Sequence, residues 1–88
     1  MPWGLVVAAP AERSLARLRA GVAAAVVEFM LGPLADAPTL VGKPLQRELA
    51  GYWSARRGSY RVVYRLDVDR HEIVVVRIDH RSDVYRRR

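Results

Sequence analysis

The segment from Tyr60 to Leu66 alternates between apolar or aromatic side chains and a second set that is mainly basic. Successive side chains of a β-strand point to opposite faces of its sheet. One face of this strand therefore carries Tyr60, Val62, Tyr64 and Leu66, and the other carries Arg61, Val63 and Arg65. The pattern predicts a sheet with an apolar face that packs on a core and a basic face that does not.

Two flanking segments complete an antiparallel unit around this strand. The stretch from Tyr52 to Arg56 is predicted to be a strand that reaches it through Gly58-Ser59. After the polar turn 67–71, the β-branched run from Glu72 to Ile78 fits a buried return strand.

The first half of the chain has a different pattern. The apolar run from Trp3 to Ala9 predicts a first strand, and Pro10 suits the opening turn of a following helix. A second helix is expected from Val22 to Leu31, weakened or ended by Gly32-Pro33, and no regular element is expected from there to Pro44. The order predicts an α+β fold in which an N-terminal strand and a helical hairpin pack on a mainly antiparallel four-stranded sheet.

Composition sets the scale and the environment of this fold. With 88 residues, 51% of them hydrophobic, the chain is expected to form one domain over residues 1–88. It has no cysteine, which excludes disulfides, thiol nucleophiles and thiolate zinc sites. The apolar run 5–11 is too short for a signal peptide and lacks a preceding cation, and no stretch approaches a membrane span. A soluble cytoplasmic protein is expected.

The positive charge is concentrated in the second half. Residues 1–50 carry five cations and four anions, whereas residues 51–88 carry ten cations and five anions, and all cations except Lys43 are arginine. Guanidinium groups match phosphate in bidentate geometry, so the excess favours a nucleic-acid partner. A membrane surface or an acidic protein would also satisfy the charge.

The sequence gives little support for a metal site, a serine nucleophile or a phosphate-binding loop. The cluster of Asp67, Asp69, His71 and Glu72 spans a predicted turn, where Asp is common for local hydrogen bonding, so no metal site is expected. Ser54 and Ser59 lack an oriented base, and no glycine-rich phosphate loop is present. No cofactor is expected.

Arginines and one tyrosine are the remaining candidates. Arg61 and Arg65 share a sheet face, and the segment after the last strand can return across it with Arg81 and Tyr85. The alternative is that Arg61 and Arg65 form only a solvated strand face and that Tyr85 packs.

Several motifs in fixed order resemble the RelE/ParE toxin superfamily, in particular the RelE-like toxins of mycobacteria. They are Gly42-Lys43-Pro44-Leu45, Glu48-Leu49-Ala50-Gly51, Ala55-Arg56-Arg57-Gly58-Ser59-Tyr60-Arg61-Val62-Val63-Tyr64 and Asp79-His80-Arg81-Ser82-Asp83-Val84-Tyr85. The resemblance covers nearly the whole chain. It implies the toxin of a toxin–antitoxin pair, with a RelB-like antitoxin as partner, that enters the ribosomal A site and cleaves messenger RNA without a metal.

The resemblance also implies roles for individual residues. Arg61, Arg81 and Tyr85 match the catalytic positions of the family, and Tyr52 and Ser54 stand where RelE enzymes carry lysines. RNA or ribosome binding is expected of the other arginines in this region, which are Arg56, Arg57, Arg65, Arg77, Arg86 and Arg87.

Two other functions remain open from the sequence. A ParE-like toxin would inhibit DNA gyrase without cleaving RNA, and the same fold serves both branches. A non-enzymatic nucleic-acid-binding module would bind with a steep salt dependence and leave RNA intact.

Overall fold

The computed structural model describes residues 2–80. These residues contain a five-stranded sheet. The strands are β1 (Gly4–Val7), β2 (Lys43–Pro44), β3 (Tyr52–Arg57), β4 (Tyr60–Asp67) and β5 (Glu72–His80). Their order across the sheet is β1-β5-β4-β3-β2, with β1 parallel to β5 and every other pair antiparallel. The predicted β3–β4–β5 meander is confirmed.

The helices lie in the first half of the chain and cover one face of the sheet. They are α1 (Ala9–Ala16), α2 (Ala20–Phe29), a wider π-type segment (Met30–Leu34) and α3 (Pro38–Val41), followed by a 3-10 turn (Arg47–Leu49). Pro10 lies in the first turn of α1, as its fixed φ and missing N–H favour. Among the described residues, no helix is long and apolar enough to cross a membrane.

The core lies between the helices and the apolar face of the sheet. It consists of Ala11, Val26, Phe29, Met30 and Leu34 from the helices, and Ala55, Tyr60, Val62, Tyr64, Ile73, Val75 and Ile78 from the strands. The alternation predicted for β4 is therefore correct, since its apolar face is buried and Arg65 is exposed.

Two expectations about the middle of the chain were wrong. The sheet has a fifth strand, β2, and α3 occupies part of the segment in which no regular element was expected. The helix is weakened and not ended at Gly32-Pro33, which was one of the two expected outcomes: the backbone widens to a π-type segment there and stays helical to Asp36. Met30 and Leu34 are almost completely buried there, and burying two such side chains stabilises by about 2 kcal/mol each, which offsets a proline cost of about 3 kcal/mol. The π-type widening accommodates the missing N–H of Pro33.

The last strand is also less buried than expected. Its residues alternate, so that Ile73, Val75 and Ile78 are buried while Val74 and Val76 are only half-buried. The register shifts between the pairs Val63–Arg77 and Tyr64–Val75, which leaves Val76 as an extra residue in β5. Such a bulge bends the strand and redirects its side chains.

Candidate functional site

The face of the sheet opposite the helices, which we call the open face, carries the candidate site. Cross-strand pairing aligns Arg56 of β3, Arg61 of β4 and Asp79 of β5 in one row. The next row contains Ser54, Val63 and Arg77. Like charges directly opposite one another destabilise a sheet, so the Arg56–Arg61 pair is a feature that an anionic ligand would stabilise.

Asp79 holds two of these arginines. Both of its oxygens accept hydrogen bonds from Arg77 Nε at 3.0 Å, and Oδ2 also accepts a longer one from Arg61 Nη2 at 3.4 Å. The hydrogen bond and the charge of Asp79 raise the pKa of the Arg77 guanidinium. Two guanidinium groups face one carboxylate, so the cluster of Arg61, Asp79 and Arg77 has a net positive charge, with Arg61 at its edge.

Arg61 is only partly accessible, with 37% of its side chain exposed. Its Nε is buried and has no acceptor among residues 2–80. A buried donor without a partner costs free energy, so a residue chosen for stability alone would not be an arginine at this position. The arrangement favours a role for the Arg61 guanidinium in binding an anion.

A groove of about 300 Å³ opens beside Arg61 on the open face. Its apolar wall and floor are formed by Leu45, Leu49, Tyr52, Val63 and Val76. Its polar lining consists of Ser54, Arg61 and Arg77. The β5 bulge contributes directly, since it places the consecutive residues Val76 and Arg77 on the same side of the sheet.

The segment between β2 and β3 forms one wall of this groove. The backbone N–H of Leu45 donates to the carbonyl of Tyr52 at 2.8 Å, which extends the pairing beyond β2. The 3-10 turn then carries Leu49 to the groove, where half of its surface remains exposed. Gly51 enters β3 with a φ of 96°, a conformation that glycine adopts without strain.

The arginines expected to bind RNA do not share one surface. Arg56, Arg61, Arg65 and Arg77 occupy strand positions on the open face. Arg57 lies on the helix side instead, with its guanidinium carbon 5.4 Å from the centre of the Phe29 ring. Because neighbouring residues of a strand point to opposite faces, Arg56 and Arg57 cannot both contact a ligand on the open face. The remaining expected site residues, Arg81, Tyr85, Arg86 and Arg87, lie outside the described residues.

Sequence reasoning missed Asp79 and Lys43. Asp79 follows Arg77 by two residues, a spacing that places both on one face of a regular strand, and this signal was available in the sequence. Lys43 pairs with Ser54 across β2 and β3, which adds an ammonium group to the same sheet face. Its segment was expected to be a loop, so this placement could not be anticipated.

The other polar residues considered earlier have local contacts. Asp67 accepts a hydrogen bond from the Arg70 backbone N–H at 3.2 Å, as expected of a turn residue, and the ring of His71 stacks on that of Trp3 at 4.1 Å. Ser59 Oγ and His80 Nε2 lie 3.1 Å apart in an exposed pair. Within residues 2–80, no group of three potential metal ligands of the His, Cys, Asp or Glu type is present.

Comparison with known proteins agrees with this architecture. Residues 5–85 match the model of a family described as the ParE toxin of the type II toxin–antitoxin system parDE. Toxin RelG of Mycobacterium tuberculosis is 51% identical over 87 residues, which span 99% of this chain and 100% of RelG. Toxin RelE of the same organism is 47% identical, over 97% of this chain and 88% of its own length.

A solved structure gives the same result in three dimensions. The RelBE2 toxin–antitoxin complex of M. tuberculosis contains a chain that superposes with a TM-score of 0.90 at 48% identity, covering 92% of this chain and 100% of that one. The sequence resemblance to the superfamily is therefore confirmed. The chain belongs to the ParE toxin family of type II toxin–antitoxin systems and is a toxin of the RelE type.

Proposed function

We propose that this toxin is a ribosome-dependent endoribonuclease that cleaves messenger RNA and thereby inhibits translation. The observation that carries the proposal is the position of Arg61, which Asp79 holds at the edge of a groove on a cationic sheet face. A guanidinium fixed in this way needs little reorganisation before it stabilises developing negative charge. The proposal further rests on the resemblance of the chain to RelE enzymes in the motif that contains Arg61.

RNA supplies its own nucleophile in this reaction. The 2′-oxygen forms a bond to the adjacent phosphorus, the bond from phosphorus to the 5′-oxygen breaks, and the products carry a 2′,3′-cyclic phosphate and a 5′-hydroxyl. The enzyme has to hold the attacking and leaving oxygens in line and to stabilise the added charge on the phosphorane-like transition state. Arg61 performs the second task in this proposal, and the resemblance implies that Arg81 shares it.

Proton transfer is assigned to Tyr85, also on the basis of the resemblance. A neutral phenol donates a proton more readily than it accepts one, so Tyr85 would protonate the leaving 5′-oxygen. The hydroxyls of Tyr52 and Ser54 on β3 are poor proton acceptors at neutral pH, and we propose that water takes the proton of the 2′-hydroxyl. Orientation and charge stabilisation would then provide most of the acceleration.

The other arginines would bind RNA or the ribosome. Arg56, Arg65 and Arg77 lie on the open face and would contact the message. Arg57 projects from the helix side and would contact ribosomal surface instead. Arg86 and Arg87 would add to the same electrostatic attraction, which falls with increasing salt.

We also propose a cognate antitoxin as the partner that controls the activity. The similar chain of M. tuberculosis was solved in a toxin–antitoxin complex. An acidic or amphipathic segment of the antitoxin that covers the open face would neutralise its charge and block access to Arg61. Action on ribosomes places the free toxin in the cytoplasm.

Reconstituted cleavage tests the proposal. Purified toxin is added to ribosomes that hold a defined message in the A site, and single-turnover cleavage and end groups are measured. We expect cyclic phosphate ends and a loss of roughly 10²-fold or more with Arg61→Ala. Arg13→Ala, which removes an exposed arginine from α1, is the control and should cleave normally.

The role of Tyr85 is tested in the same assay. Tyr85→Phe should slow the single-turnover rate by roughly 10²-fold or more, with little loss of ribosome binding. An unchanged rate would exclude proton transfer by this hydroxyl.

A further inference from the structure

The groove beside Arg61 has two chemically different ends. Arg61 and Arg77 supply positive charge at one end, and the side chains of Leu45, Leu49 and Tyr52 line the other. Val63 lies on the floor, two residues from Arg61 along β4, which corresponds to about 7 Å in an extended strand. A matching ligand therefore has an anionic group and, a short distance away, a flat or apolar group without charge.

We propose that this groove binds one nucleobase of the RNA substrate while Arg61 and Arg77 contact the phosphate next to that base. The inference rests on the proposed nuclease function and deepens it by naming a subsite. Arg61 and the apolar wall would together fix the register of the RNA chain on the enzyme.

The lining favours a base over other apolar groups. Unstacked bases of single-stranded RNA bind to aromatic and apolar side chains through their faces, and Tyr52 supplies such a side chain. Ser54 adds a hydroxyl that can donate to or accept from the polar edge of a base. A volume of about 300 Å³ lies at the small end of ligand sites, which suits one nucleotide unit and not a folded segment of chain.

Exposure of the wall supports the same conclusion. Leu49 leaves half of its surface in contact with water, at the end of the groove away from the two arginines. A base that covers Leu49 would remove this apolar surface from water, while the phosphate remains at the cationic end. The hydrogen bond from the Leu45 N–H to the Tyr52 carbonyl holds the apolar wall of the groove at the edge of the sheet before any ligand binds.

Two small probes separate the contribution of the base from that of the phosphate. Adenosine 5′-monophosphate and ribose 5-phosphate differ only in the base, and both are titrated into the free toxin while backbone amide NMR signals are followed. We expect the nucleotide to bind roughly tenfold more tightly. Its shifts should centre on Tyr52, Ser54 and Val63.

A matched pair of variants locates the effect. Leu49→Ser should remove most of the advantage of the nucleotide and leave the affinity for ribose 5-phosphate unchanged. Leu40→Ser, at a residue that is 84% exposed on α3 and does not line the groove, should leave both affinities unchanged. Both positions are exposed, so both variants should keep the fold, which their NMR spectra verify.

Equal affinities for the two probes, or shifts centred away from the groove, would overturn the proposal. The proposal would also be overturned if the amide signals of the groove residues respond to neither probe and shift only when the antitoxin is co-expressed. That result would identify a protein-docking site. The proposed nuclease function fails separately, if the wild-type toxin leaves ribosome-bound message intact. The base subsite can therefore be wrong while the nuclease function stands.

Discussion

A single hydroxyl group links the sheet to the segment that carries α3 and β2. Tyr64 is completely buried in β4, and its hydroxyl donates a hydrogen bond of 2.6 Å to the carbonyl of Pro38. Gly42 lies against the same hydroxyl, and a Cβ built on Gly42 would overlap it. Because Gly42 immediately precedes β2, this close packing helps to place the wall of the groove.

Substitution of Gly42 tests that contact. Gly42→Ala should lower the free energy of unfolding by about 2 to 3 kcal/mol, because either the Tyr64 ring or the α3–β2 segment has to move. Urea denaturation measures the change. Gly21→Ala is the matched control, since a Cβ on Gly21 of α2 meets nothing within 4 Å, and it should be neutral or stabilising. Equal stability of Gly42→Ala and wild type would refute this view of the contact.

The same tyrosine predicts a stability change at alkaline pH. Burial raises the pKa of Tyr64 to about 12 from the ordinary value of 10.0, so the folded state favours the neutral phenol. Stability should be complete below pH 10 and should fall by about 2 to 3 kcal/mol as the pH rises to about 12. Burial also raises the pKa of Tyr60, which acts in the same direction.

Tyr64→Phe isolates this contribution. At neutral pH the variant should lose about 1 kcal/mol with the hydrogen bond to Pro38. Above pH 10 its unfolding free energy should fall less steeply than that of the wild type, with the remaining slope due partly to Tyr60. Parallel pH profiles of the two proteins, measured by urea denaturation, would contradict the assigned role of Tyr64.

At the scale of elements, the β3–β4 hairpin combines an apolar face with a cationic one. The pairing of Arg56 with Arg61 places two like charges directly opposite each other on the open face. This repulsion opposes folding slightly, and a bound phosphate would relieve it. Stability and RNA binding should therefore respond in opposite directions to a change at Arg56.

Charge reversal at Arg56 tests this opposition. Arg56→Glu should raise the free energy of unfolding by about 0.5 kcal/mol, since it replaces a repulsive cross-strand pair with an attractive one. Cleavage of ribosome-bound message should fall roughly tenfold, because a phosphate contact becomes a repulsive one. Arg13→Glu makes the same charge change on α1 and should cleave like wild type. Undiminished cleavage by Arg56→Glu would remove that residue from the RNA-binding face.

Periodicity predicted the central elements, and its limits explain the errors. The alternation of Tyr60, Arg61 and Val62 specified which face of β4 is buried, since only one register places the aromatic residues in the core. By contrast, Val74, Val75 and Val76 are identical, so the sequence cannot show which of them is the extra residue of the bulge.

Tertiary contacts determined the features that periodicity did not predict. The strand β2 has only two residues, one of them a proline, and is too short for any periodic signal. The groove depends on residues from β3, β4, β5 and the connection between β2 and β3, which meet only after the sheet has formed. Arg61 and the basic face of β4 were predictable, and the spacing of Arg77 and Asp79 could have placed Asp79 on the same face, whereas the groove required the structure.

At the scale of the whole molecule, the two faces of the sheet have different roles, one in folding and the other in binding. The helical layer buries one face of the sheet, which leaves the open face to present Arg56, Arg61, Arg65 and Arg77. The formal net charge of +6 adds a long-range attraction to RNA and ribosomes. In this proposal the fold serves mainly to present Arg61 in a cationic environment.

Primer extension in cells tests this account most directly. The toxin is induced beside two copies of one message, of which only one is translated, and cuts are mapped in both. We expect cuts in the translated copy alone, and their loss with Arg61→Ala although that variant remains folded. Growth arrest with both messages intact would contradict the nuclease account and favour gyrase inhibition, which a supercoiling assay would then detect.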